Sequence, residues 1–246
     1  MAKKAYIRFY GTLNDFLPSN KKHKTYLSAI NGHPNLKDFI EAQGVPHSEV
    51  YLIVQNHTPA GFENELGMND LVSVFPAFVH ESMLPKNPLS KKDADIEKKF
   101  ILDVHLGKLT KYIRLAGFDA FHHQHLKDPE IAEISANENR IVLTRDRKLL
   151  MHKKIKYGHW IRSDDPEQQF IDVINRFQLK SLFHPFSRCT VCNGYLQQIP
   201  KNLVEGRVPA NTDKLYSKFF QCQNCRKVYW EGSHYQKMKL FIEKHQ

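Results

Sequence analysis

The sequence predicts a multi-domain chain of α+β and α/β class, and three observations predict it. Residues 1–82 hold short strand patterns around one helix, the mark of a mixed-sheet α+β unit. From residue 98, apolar strand-like runs alternate with helical spacing, which predicts a parallel sheet flanked by helices. The four cysteines of the chain come last, in two pairs, Cys189-x-x-Cys192 and Cys222-x-x-Cys225. The expected layout is a domain over 1–82, a linker over 83–97, an α/β domain over 98–180 and a cysteine-held module over 181–246. With 246 residues, 41% of them hydrophobic, the chain can bury a core in each of two or three domains.

In the first domain, residues 5–10 alternate and read as a strand, and 24–28 as its hairpin partner. Asn35 is placed to cap a short helix over 36–40, with Gly44 as its stop. Residues 50–54 and 71–75 are two further strands. This order of strand, strand, helix, strand, strand resembles the ubiquitin-like β-grasp. The close, Asp70-Leu71-Val72-Ser73-Val74-Phe75-Pro76, resembles the end of the small sulfur-carrier proteins of that class. Those carriers need a free terminal Gly-Gly. Here the chain runs on through Ala77-Phe78-Val79-His80, so carrier chemistry is excluded and a module that docks a protein partner is expected. Pro85, Pro88, Ser90 and the charges from Lys91 to Lys99 then break any hydrophobic period.

From Phe100 the pattern changes. Phe100-Ile101-Leu102-Asp103-Val104 is a short apolar run of the kind buried in parallel sheets. Leu106, Leu109, Ile113 and Ala116 follow helical spacing, and Gly117 ends that helix. Residues 118–121 are the next strand. Asp128 is placed as the N-cap of a second helix with Pro129 at its first position. Residues 141–143 and 158–162 are two more strands. Pro166 begins a last helix through Phe177.

Charge is unevenly distributed. Residues 1–85 carry seven Lys/Arg against eight Asp/Glu, whereas 86–246 carry 29 against 18, or +11. The stretch 180–246 alone has 11 against four, or +7. A basic half joined to a near-neutral half points to nucleic acid as the partner of the basic half. No run approaches a membrane span, and Met1-Ala2-Lys3-Lys4 leads straight into a strand pattern, so a cytoplasmic protein is expected.

The chemistry should sit at the carboxyl ends of the parallel strands. Asp103, Asp146 and the Asp164-Asp165 pair stand there, and Asp128 follows the second strand. Converging carboxylates repel unless a cation joins them, and an oxygen-only donor set favours magnesium or manganese. Arg145 and Arg147 flank Asp146 and are candidates to hold a phosphate. Asp128 and one of Asp164 and Asp165 also have adequate explanations as helix caps. Asp103 is harder to dismiss, since it interrupts an apolar run where an unpartnered carboxylate is costly. The two cysteine pairs suit structural zinc. Two disulfides are the rival reading, and nothing suggests the secreted setting they need.

Together these motifs resemble a known family. Phe100-Ile101-Leu102-Asp103, Leu106-Gly107-Lys108-Leu109, Ile113-Arg114-Leu115-Ala116-Gly117-Phe118-Asp119 and Arg140-Ile141-Val142-Leu143-Thr144-Arg145-Asp146-Arg147 are similar to the C-terminal RNase domain family named after the mut-seven exonuclease. The tail agrees, from Arg188-Cys189 through Val228-Tyr229-Trp230 to Gly232-Ser233-His234-Tyr235. Bacterial members often carry a ubiquitin-like N-terminus, and the family is grouped with the PIN-like nucleases. The resemblance implies a PIN-like α/β domain over 98–180 with a zinc ribbon over 181–246, and a metal-dependent endoribonuclease acting on RNA. It implies Asp103 and Asp146 as first metal ligands, Asp128 as the second choice and Asp165 as a further acid. Lys108, Arg114, Arg145 and Arg147 become the candidates for phosphate contact. His105 departs from the apolar residue expected before Leu106-Gly107. The alternative is a non-catalytic RNA-binding or scaffold protein that recruits a partner through its ubiquitin-like domain. Tyr229, Trp230 and Tyr235 lie among basic residues and either stack on bases or pack the zinc module. His122, His123 and His125 read as a polar loop, with a second metal site as the rival reading.

Overall fold

The computed structural model describes residues 3–32, 34–76 and 97–246. The predicted linker, apart from Glu97, and the continuation through 77–80 lie outside them. The chain divides into two compact units, Met1–Glu97 with Ala132–Trp160, and Lys98–Ile131 with Ile161–Gln246.

The N-terminal domain is a β-grasp. Strands β1 (Lys4–Phe9), β2 (Tyr26–Ala29), β3 (Val50–Gln55), β4 (Thr58–Ala60) and β5 (Leu71–Pro76) form a mixed sheet of order β2-β1-β5-β3-β4. The central pair, β1 and β5, is parallel, with Ile7 opposite Val72. Alternation puts Ala5, Ile7 and Phe9 of β1 inward, against Leu36, Phe39 and Ile40 of helix α1 (Leu36–Glu41). Asn35 caps α1 as expected, its Oδ1 accepting from Asp38 N at 2.8 Å. The short edge strand β4 and the 3-10 segment Gly11–Phe16 were not predicted.

Asp70 ties this domain's last turn together. Its carboxylate accepts from Gln55 Nε2, Asn56 Nδ2 and Gly67 N, each at 2.7 Å. Burial pushes the carboxyl up, but the three hydrogen bonds outweigh it and hold it below the usual range. A depressed carboxylate stabilises the fold above its unfolded pKa, and that contribution is lost as pH falls through the folded value. Asp70→Asn is therefore expected to flatten the loss of thermal stability on acidification below about pH 4. An unchanged pH profile of melting temperature would contradict this role.

The central part of the chain adds strands β6 (Lys99–Leu102), β7 (Asp119–Phe121), β8 (Ile141–Thr144) and β9 (Gly158–Trp160), with helices α2 (Gly107–Leu115), α3 (Asp128–Glu138) and α4 (Pro166–Arg176). These form a four-stranded sheet whose pairs β6 with β7 and β8 with β9 are parallel. Phe100, Ile101 and Leu102 of β6 are fully buried, and so is β8 along its length. That is the signature of a parallel sheet covered on both faces.

The C-terminal module holds β10 (Leu196–Ile199), β11 (Phe219–Cys222) and β12 (Val228–Trp230) in an antiparallel sheet of that order, with the short helix α5 (Thr212–Leu215) between β10 and β11. A last helix, α6 (Ser233–His245), was not predicted. It returns to α2 and α4: Phe241 stacks on Tyr112 with centroids 4.4 Å apart and lies 5.5 Å from Phe170. Lys244 and His245 both meet the Glu167 carboxylate, at 2.7 and 3.0 Å. None of the described helices is long and apolar enough to cross a membrane.

Candidate functional site

Asp103 stands directly after β6. It is 7% exposed and accepts from His105 N at 2.9 Å, which caps the 3-10 turn Val104–Leu106. The half-buried His122 ring lies nearby, with Nε2 3.4 Å from the Val104 carbonyl. Burial holds His122 below its ordinary pKa, against the opposing pull of the Val104 carbonyl and Asp103. The sequence grouped His122 with His123 and His125 as one loop. The last two are exposed, their rings 5.5 Å apart.

Asp128 is exposed and lies within the first turn of α3, not at its cap. The capping position falls to Lys127, whose N–H donates to Glu130 Oε2 at 2.8 Å, the glutamate half of a capping box. This corrects the expected cap by one residue and removes the structural explanation offered for Asp128. Asp146 is exposed two residues after β8. Its Oδ1 accepts from Lys148 N at 2.7 Å, and its own N–H donates to Thr144 Oγ1 at 2.9 Å. Asp165 is the N-cap of α4, accepting from Glu167 N and Gln168 N at 3.4 and 3.3 Å. The cap reading thus accounts for Asp165.

The basic candidates part company. Lys108 and Arg145 are exposed to solvent. Arg114 is 5% exposed and donates to the carbonyls of Ala120, Thr190 and Val191 at 2.9, 3.3 and 2.9 Å. That commits its guanidinium to the interior, so the expected phosphate contact gives way to an internal clamp. Arg147 donates through Nη2 to Phe16 O at 2.9 Å and Gly44 O at 3.4 Å, and its guanidinium lies 5.1 Å from both the Phe16 and Trp160 rings. It too is spent on the protein. Both were misread because a charged residue beside a motif resembles a ligand hand, while its carbonyl partners lie far away in sequence.

The cysteines converge. The ligand atoms of Cys189, Cys192, Cys222 and Cys225 all lie within 4.8 Å of one another, and all four thiols are free. Cys189 and Cys225 are 3.7 Å apart, Cys192 and Cys222 3.3 Å, which excludes disulfides. Zn–S bonds of about 2.3 Å in a tetrahedron put sulfurs ~3.8 Å apart, so the set fits zinc. The two knuckles are built alike. Asn193 and Arg226, each following a pair's second cysteine, adopt φ of 71° and 63°, and their N–H groups donate to Cys189 O and Cys222 O. Gly194 leaves room for the second knuckle: a Cβ there would lie 2.9 Å from Cys222 Sγ.

Four thiolates cannot ionise together without a cation. Burial pushes the thiols of Cys192 and Cys225 up. For Cys192 the Gly194 N–H and the neighbouring sulfurs outweigh burial and bring the pKa to about 6. Cys225 is pushed up to about 12, by burial and then by the sulfurs beside it. Tyr229 OH lies 3.0 Å from Cys189 Sγ, a polar support the sequence did not reveal. A four-thiolate zinc centre would carry a net charge of about −2, which the buried Arg114 cation on the Thr190 and Val191 carbonyls would offset.

A cavity of about 270 Å³ opens beside this module, with Phe186, Phe220, Tyr229, Trp230, Tyr235 and Met238 among its walls. Phe186 holds φ of 60°, unusual for a bulky side chain, and its ring lies 4.4 Å from that of Tyr235.

Comparison with known proteins agrees with this architecture. The profile of the Mut7-C ubiquitin domain matches residues 2–82, and that of the Mut7-C RNAse domain matches residues 98–242. No curated protein and no solved structure matches the chain. Because the RNase-domain profile spans more than half of the sequence, the chain belongs to the Mut7-C RNAse domain family, whose description points to a ribonuclease.

Proposed function

We infer that the protein is a metal-dependent endoribonuclease whose zinc-held module grips RNA. The observation that carries this is Asp103, a carboxylate only 7% exposed at the carboxyl end of a fully buried strand, within a matched RNase domain. Asp103 and Asp146 are the first assigned metal ligands and Asp128 the third. All are oxygen donors, which suits magnesium or manganese. What a divalent cation would supply there is charge neutralisation at the scissile phosphate and a more acidic water. The chain's own part is to fix the carboxylates: backbone N–H groups hold one oxygen of Asp103 and one of Asp146. Lys108 and Arg145, both exposed, remain the candidates for phosphate contact. Cleavage of single-stranded RNA with magnesium or manganese, lost in Asp103→Asn, is the test.

The second reading is an RNA-binding protein without catalysis. The aromatic cavity in a segment of charge +7 favours it, because aromatic faces beside cations suit unpaired bases. Both readings require RNA affinity that falls steeply with salt, as phosphate contacts release counterions. Trp230→Leu is expected to weaken single-stranded RNA binding by about 1–3 kcal/mol, roughly 5- to 150-fold, through one lost base stack. Filter binding in calcium, with duplex RNA as control, measures it. An equal loss on duplex, or none, would assign Trp230 to packing alone.

A further inference from the structure

The ubiquitin-like domain was expected to dock a partner, yet one of its faces is already occupied within its own compact unit. We propose that this domain is a working part of the nuclease: it holds the loop carrying Asp146, and Arg147 is the positioning residue through which it does so. The proposal rests on the assignment of Asp146 made above.

Four sets of contacts carry it. Arg147, the neighbour of Asp146, donates to Phe16 O and Gly44 O. Phe16 closes a 3-10 segment, so its carbonyl is one that the helical turn leaves without an internal partner, and Gly44 lies in the turn after α1. The guanidinium also packs against the rings of Phe16 and Trp160, which are 5.1 Å apart. Next, Trp160 Nε1 donates to Arg145 O at 3.3 Å, on the other side of Asp146. Trp160 is in turn fixed by Glu49 of the N-terminal domain, whose Oε1 accepts from Trp160 N at 2.6 Å and lies 3.3 Å from His159 Nδ1. The side chains of Glu49 and His159 are 1% and 0% exposed. Finally, Ser48 Oγ donates to Leu150 O and His47 Nε2 to Ile155 O, each at 2.8 Å. Gly158 permits this approach, since a Cβ there would meet Leu150 Cδ2 at 2.5 Å and Ser48 Oγ at 3.2 Å.

The loop is therefore held from both directions. Its own Asx-type turn fixes Asp146 through Lys148 N and Thr144 Oγ1. The N-terminal domain fixes Arg147 directly and Arg145 through Trp160, which Glu49 holds. A side chain locked by a supporting layer keeps a metal ligand in working geometry, and losing such support costs metal affinity of about 10- to 100-fold.

The test uses the full chain with Arg147→Ala, Arg147→Lys, Phe16→Leu and Trp160→Phe. Manganese binding is followed by electron paramagnetic resonance of the free ion, and single-stranded RNA affinity by filter binding. Both are read at a temperature where melting curves show every variant folded. Arg147→Ala and Phe16→Leu should each weaken manganese binding about tenfold and lower the cleavage rate in step, with RNA affinity unchanged. Arg147→Lys should recover part of the loss, since it keeps a donor but not the planar stack. The Arg147→Ala/Phe16→Leu double variant should be no worse than either single one, because both break one clamp. Should Phe16→Leu fail to fold, Trp160→Phe serves, as it removes the bond to Arg145 O while keeping an aromatic ring against Arg147 and Phe16. Wild-type manganese affinity in folded Phe16→Leu or Trp160→Phe overturns the proposal, even if Arg147→Ala is impaired, for Arg147 would then act alone. Full cleavage by Asp146→Asn instead defeats the assignment of Asp146, a separate failure.

Discussion

Asp103→Asn and Asp146→Asn are each expected to cut RNA cleavage about a thousand-fold or more while leaving the fold and RNA binding in place. The structure explains why the fold should survive. Asp103 accepts from His105 N, and Asp146 from Lys148 N, through one carboxylate oxygen. An amide oxygen does the same, and Asn is as good a cap or turn residue as Asp. What it removes is the negative charge that the proposed cation would need. Losing about 4 kcal/mol of transition-state stabilisation corresponds to the thousand-fold loss. Asp128→Asn should fall between these variants and wild type. Single-turnover cleavage with magnesium or manganese measures the rates, and melting curves check the fold. Wild-type rates in both strand-end variants would leave the RNA-binding reading standing.

Removing zinc, or changing Cys189 or Cys222 to Ser, should unfold the β10–β12 module. Its own core is small: Val204, Phe219 and Val228 are buried, with Ile199, Val208, Tyr216 and Trp230 around them. A core of that size does not sustain a fold without a staple. Binding of structural zinc contributes about 10–16 kcal/mol in comparable small modules. Helix α6 should outlast the loss, because Phe241 and His245 hold it to Tyr112, Phe170 and Glu167. Hydrogen exchange should show protection lost across β10–β12 and kept in α2 and α4. One zinc per chain by elemental analysis is the companion result. Retained protection in metal-free protein would refute the role given to the cysteines.

Much of this was legible in the sequence, and the failures share a cause. Asn35, Gly44 and the cysteine pairs act over a few positions, so their meaning is local. The apolar runs of β6 and β8 announced a parallel sheet because burial on both faces leaves no polar alternation. Asp103 stood out because it broke such a run. Arg114 and Arg147 could not be read, since what they bind is the backbone of distant segments and a carbonyl has no sequence signature. Helix α6 escaped because its inward side joins the half-buried Tyr235 and Phe241 to the buried Ile242 and His245, scattered among lysines, with Leu240 turned outward at 66% exposure. The start of α3 moved by one residue because Glu130 reaches back to Lys127, a bond as favourable as an aspartate cap.

The union of the ubiquitin-like domain with Ala132–Trp160 bears on the order in which the protein can form on the ribosome. The β-grasp is fully synthesised by Pro76, but Arg147, His159 and Trp160 emerge about 70–85 residues later, or roughly 4–17 s at typical translation speeds. Through that interval Phe16, His47 and Glu49 lack the contacts that Arg147, Ile155, His159 and Trp160 later supply. The N-terminal domain is thus born early and finished late, and its completion waits on β9.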